Sequence, residues 1–247
     1  ARDHDLLGEH PDWFYWIRFS ADDGFSLPPV AKVPPLTYPR GKALRRLYGA
    51  EETRSYLQKF TDPPSVLDPK LWTEVKARQR QTGENLLTLV EEAFGITTAP
   101  GFSNMLNDPQ PPWFDVTYLK LYFDLHREAR LCLGKPGPGP DEAFHGYAPF
   151  ILQDGACANR YRGEQPNRRL WAYLVDVIPY YQRVYGIDGA RIDMGHALPP
   201  ELLRTMIDKV KAVDPAFLLW SEEFNPRNAA ALKRQGFHLI TGSLWAL

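Results

Sequence analysis

Two short stretches hold residues whose types and spacing suit chemistry. In "DGARIDM" (188–194) Arg191 and Asp193 stand two residues apart, and in "LLWSEEF" (218–224) Trp220 and Glu222 do the same. Both stretches read as strands, where side chains alternate, so the two members of each pair face one way. If the strands are parallel neighbours, two carboxylates meet near their C-terminal ends with an arginine beside one of them. The arginine would keep Asp193 ionised and oriented in a partly dry cleft. Such a pair suits glycoside chemistry with retention. Asp193 then acts as nucleophile and Glu222, flanked by Trp220 and Phe224, as proton donor, with roughly 5–6 Å between the carboxyl groups. The competing reading is a buried Arg–Asp pair plus acids that cap helices at strand ends. Spacing alone leaves both open.

The elements that must position these residues begin near residue 166. "PNRRLWAYLVDVIPYYQRVYG" reads as a helix with Pro166 near its start, a kink at Pro179 and Gly186 at its end. The strand over 188–194 follows. A helix over 199–214 puts Leu202, Leu203, Met206, Ile207, Val210 and Val213 on one face. Then come a strand over 216–224, a helix over 226–236 and the start of another strand over 237–247. Strand and helix alternate with short links, which is the pattern of parallel α/β architecture. Three strands cannot close a barrel, and a sheet of three leaves raw edges. The regular part therefore reads as a slice of something larger.

Residues 1 to about 165 read as irregular. Proline pairs recur, and "GKPGPGP" (134–140) supports neither helix nor strand. Helical patterns are expected over 50–60, over 69–95 in one or two pieces, and over 115–133, where Asp115 offers a cap. There is no internal repeat.

The 247 residues carry a formal net charge of −1, which gives no electrostatic support for a nucleic-acid or membrane-surface partner. No apolar run approaches the roughly 20 residues that span a bilayer. Cys132 and Cys157 have neither metal nor redox spacing and read as free thiols of a reducing, cytoplasmic compartment. Thirteen per cent of residues are aromatic, which packs a core and also offers surfaces for sugar rings. Trp113 suits a sugar platform or a loop anchor equally. His4, between Asp3 and Asp5, reads as part of a solvated loop rather than a metal ligand. His10, His126, His145 and His238 show no partner pattern. Both ends look cut: the chain starts at alanine in mid-pattern and stops inside an apolar run.

"DGARIDMGH" resembles the strand-four motif of the α-amylase superfamily, glycoside hydrolase family thirteen, and "LLWSEEF" resembles its strand-five motif. The opening "RDHDLLGEHPDWFYW" is similar to the segment after strand three. The resemblance implies a partial (β/α)8 TIM barrel over 166–247, from about helix three to strand six. It makes residues 1–165 a domain-B-like insertion. It assigns Asp193 as nucleophile, Glu222 as acid/base, Arg191 as partner of Asp193, and turns Glu223 away. His196, three residues after the nucleophile, stands where common amylases carry Lys-His. The Asp-x-x-His arrangement is similar to that of bacterial maltosyltransferases, as are longer stretches around 98–126 and 163–174. The resemblance thus implies transfer of maltosyl units between α-1,4-glucans or maltodextrins, with His196 holding the acceptor. The alternatives are an α-amylase-type hydrolase and an inactive amylase-like module. No organic cofactor is implied. The usual calcium ligand and the third carboxylate would lie outside the chain, so no metal site is expected here and the isolated chain is expected to be inactive.

Overall fold

A computed structural model describes residues 5–18, 60–101, 113–117, 119–123, 163–193, 195 and 198–242. The chain is mixed α/β. Helix α1 (Leu6–Glu9) and a 3-10 turn lead into strand β1 (Trp16–Arg18), which lies between β2 (Phe60–Thr61) and β3 (Ile96–Thr98) in an antiparallel sheet. Between β2 and β3 run α2 (Pro64–Leu67), α3 (Pro69–Thr82) and α4 (Leu86–Phe94). The expected helix over 69–95 is thus present in two pieces. The cause is local: Asp68 accepts the Lys70 and Leu71 amides at the start of α3, and Asn85 accepts the Thr88 amide at the start of α4. Gly83 and Gly95 close the two helices at φ 72° and 64°, where a side chain would be strained.

One helix expectation fails, and another lies outside the described residues except at its last position. Phe60 belongs to β2, and the rest of the 50–60 stretch lies outside the described residues. Residues 113–117 form β5, paired antiparallel with β4 (Pro100–Gly101), rather than opening a helix over 115–133. Leu119 and Tyr122 continue in extended bridges to Phe14 and Pro166. Long-range pairing outweighs the local helical pattern here, because the partner strands satisfy the backbone and Leu121 and Tyr122 are buried. Residues 124–133 lie outside the described residues.

The C-terminal part alternates as expected: α5 (Arg168–Tyr185), β6 (Gly189–Ile192), α6 (Pro200–Val213), β7 (Leu218–Ser221), α7 (Ala229–Gln235) and β8 (Leu239–Ile240). The three strands form a parallel sheet in the order β6-β7-β8, with Arg191 beside Trp220 and Ile192 beside Ser221. Helix α5 runs unbroken through the buried Pro179, is capped by Asn167 and ends on Gly186 at φ 62°. It is tied to α6 by Gln182, whose Nε2 donates to the Val210 carbonyl at 3.2 Å, and by a Lys209–Asp176 ion pair.

Two apolar clusters hold these parts. The larger gathers Trp13, Phe14, Trp16, Trp72 and Val90 with Trp171 and Leu202, so it reaches from the N-terminal segments to α5 and α6. Trp171 Nε1 also donates to the Leu121 carbonyl at 3.0 Å. The smaller cluster packs Ile192, Phe217 and Leu219 against Leu203, Ile207 and Leu232 of the helices. One face of the parallel sheet is therefore covered by helices. On the other, Leu218, Trp220 and Leu239 are 50%, 41% and 53% exposed. Parallel sheets are ordinarily covered on both faces, and among the described residues nothing covers this one.

Candidate active site

The strand alternation that buries Ile192 and Leu219 turns Arg191 and Trp220 to the open face. Asp193 and Glu222 follow directly after β6 and β7, at the C-terminal end of the sheet. The ladder extends to them, since the Glu222 amide donates to the Ile192 carbonyl at 3.3 Å. Arg191 Nη1 lies 2.7 Å from Asp193 Oδ1, and Nη2 lies 2.8 Å from Glu222 Oε1. The two carboxylates thus sit on the two terminal nitrogens of one guanidinium.

This geometry brings together three of the four residues singled out in the sequence and changes the role of one. Arg191 does not serve Asp193 alone. Its neighbour across the ladder is Trp220, and the fork reaches diagonally past it to Glu222. Alternation within one strand reveals only the partner two residues on, so the cross-strand partner could be found only with the register. The expected dry setting of Asp193 is also corrected. Its side chain is 62% exposed, whereas that of Glu222 is 15% exposed. The enclosed carboxylate is Glu222, because it stands on the central strand of the sheet. His196 lies outside the described residues.

Glu223 does face away from the pair. Its Oε1 accepts the Asn225 amide at 2.7 Å and its Oε2 the Asn228 Nδ2 at 2.9 Å, which fixes the turn leaving β7. His238, without a partner pattern in the sequence, has a structural one: its Nδ1 accepts the Leu219 amide at 3.0 Å, and its own amide donates to the Leu219 carbonyl. It joins β7 to the segment before β8. His10 stacks on Trp13 with ring centroids 3.9 Å apart. Trp113 lies in β5, and its side chain is outside the described part of the structure.

Away from this site, Lys120 is held at a pKa of about 8 against an ordinary 10.5, because burial penalises its charge more than Asp62 and Asp12 favour it. Its amine sits 5.3 Å from the centre of the Tyr15 ring. Among the described residues there is no cluster of three or more His, Cys, Asp or Glu able to hold a metal, and no helix long and apolar enough to cross a membrane. Comparison with protein-family models and with curated protein sequences finds no match.

Proposed function

We propose that the chain carries the paired acids of a retaining enzyme of the α-amylase superfamily acting on α-1,4-glucans. Strands β6, β7 and β8 are then consecutive strands of a (β/α)8 barrel, and residues 1–165 are its inserted domain. The observation that carries this reading is the single guanidinium shared by Asp193 and Glu222 at the C-terminal ends of adjacent parallel strands. Barrel enzymes keep their chemistry at that end of the sheet. The open sheet face, with Trp220 beside Arg191, supports it as the face that a closed barrel would turn inward.

In the first step the Glu222 carboxyl gives its proton to the glycosidic oxygen as Asp193 attacks the anomeric carbon. The bond to the leaving sugar breaks and a glycosyl ester forms on Asp193. In the second step an acceptor hydroxyl loses its proton to Glu222 and displaces Asp193, so two inversions give net retention. A guanidinium can only donate hydrogen bonds. The proton that Glu222 delivers therefore belongs on Oε2, while Oε1, like Asp193, accepts from Arg191. Asp193, the more open of the two, is also the one a sugar ring reaches first.

The finer reading is transfer rather than hydrolysis. Water must lose to an acceptor sugar, and a well-oriented acceptor has an effective molarity of about 10⁵ M or more. His196 is the residue assigned to hold it. Maltotetraose is the test substrate, with the protein made from its natural gene. Transfer gives products longer and shorter by two glucose units with little new reducing end, and His196→Ala moves the balance toward hydrolysis. Reducing ends rising in step with donor loss make the protein a hydrolase. Turnover that survives Asp193→Asn removes the reading altogether.

A further inference from the structure

Behind the carboxylate pair, between α6 and α7, lies a cavity of about 610 Å³. That volume falls within the range of small-molecule sites. Glu223, the chain neighbour of Glu222, forms part of its wall, so the cavity and the acid pair lie back to back across the end of β7. Its floor is apolar: Leu203, Ile207 and Leu232 line it and are buried. Arg204 and Arg234 reach it from opposite helices. Elsewhere on the surface Arg78 bonds Glu84 and Glu92, and Arg168 bonds Glu201. Among the described residues neither Arg204 nor Arg234 has an ion-pair partner or a side-chain hydrogen bond, although Asp208 follows Arg204 by one turn and lines the same cavity.

The charges of the lining balance, Arg204 and Arg234 against Asp208 and Glu223, so charge alone does not select a ligand; the hydrogen-bond inventory does. Both oxygens of Glu223 already accept, from the Asn225 amide and the Asn228 side chain. The two guanidinium forks hold five donors each and, among the described residues, spend none on a side chain or carbonyl. Planar forks match carboxylate and phosphate oxygens, and the apolar floor matches a hydrocarbon or ring body. We propose that this cavity binds a small organic anion, with a carboxylate or phosphate head between Arg204 and Arg234 and an apolar body on Leu203, Ile207 and Leu232. The site is independent of the glycosidic reading, because its test measures binding and not turnover.

The experiment is calorimetric titration of the full chain with phenyl phosphate, benzoate and inorganic phosphate at low salt. Phenyl phosphate or benzoate should saturate a single site, and whichever binds more tightly identifies the head group. Inorganic phosphate, which lacks the body, should bind about tenfold or more weakly than phenyl phosphate. Arg204→Gln and Arg234→Gln should each weaken binding about tenfold. Asp208→Asn should tighten it, a gain that misfolding cannot imitate. Absence of saturable binding by either aromatic anion overturns the proposal. So does binding that both arginine variants leave unchanged.

Discussion

Replacing Lys120 by methionine should stabilise the protein at neutral pH, and the gain should fade as pH rises. Unfolded, this lysine titrates near 10.5; folded, near 8. Between those values the unfolded chain holds a proton that the folded chain has lost, so stability climbs with pH across about 8 to 10.5. Below about 7 both states are protonated and the whole burden of burying the charge is present. The fall from 10.5 to about 8 corresponds to about 3 kcal/mol. Methionine has a similar length and no charge to desolvate. It forfeits the amine's contact with the Tyr15 ring, worth about 0.5–2 kcal/mol. The expected net gain is therefore about 1–2.5 kcal/mol at pH 6.5, shrinking toward zero by pH 10.5, where the folded lysine is neutral. Urea unfolding of both proteins at several pH values measures it, and the other titrating groups cancel in the difference. Equal stability at pH 6.5, or a difference that does not change with pH, refutes the reasoning.

Other outcomes follow from the same structure. Arg191→Met should cost about 1–3 kcal/mol, because it removes a charged partner of the enclosed Glu222, whereas Asp193→Asn at its open position should cost under about 1 kcal/mol. Thermal melts compare the two, and both variants should lose maltotetraose turnover. Leu219→Ala empties the centre of β7 from a fully buried position and should cost about 2–5 kcal/mol in urea unfolding. Asp68→Ala removes the acceptor of two amides at the start of α3 and should cost about 1 kcal/mol.

What the sequence disclosed was mainly local. The helical stretch over 69–95 was legible in one or two pieces, and Asp68, Gly83, Asn85 and Gly95 divide it into α3 and α4 because capping is settled within a few residues of the chain. Strands β6 and β7 were legible from alternation, and with them the facing of Arg191 and Asp193. The sharing of Arg191 was not, since it depends on which residue of β7 stands beside which residue of β6. The same limit explains the stretch from Asp115. Its apolar spacing suits a helix, yet pairing of β5 with Pro100–Gly101 and the bridges of Leu119 and Tyr122 to distant segments decide its conformation. The cavity between α6 and α7 had no sequence signal, because Arg204 and Arg234 meet it from different helices.

The central claim is that Asp193 takes the sugar and Glu222 moves the proton. A maltosyl fluoride donor slowed by a ring fluorine tests it directly, with the protein made from its natural gene, followed by peptide mass spectrometry. Fluoride departs without protonation, so Glu222→Gln should still form the ester and, lacking its base, should accumulate it. The account predicts the added mass of one ring-fluorinated maltosyl group on the peptide that contains Asp193, raised in Glu222→Gln and absent in Asp193→Asn. An adduct on any other residue, or donor consumption with inverted products and no adduct, contradicts it.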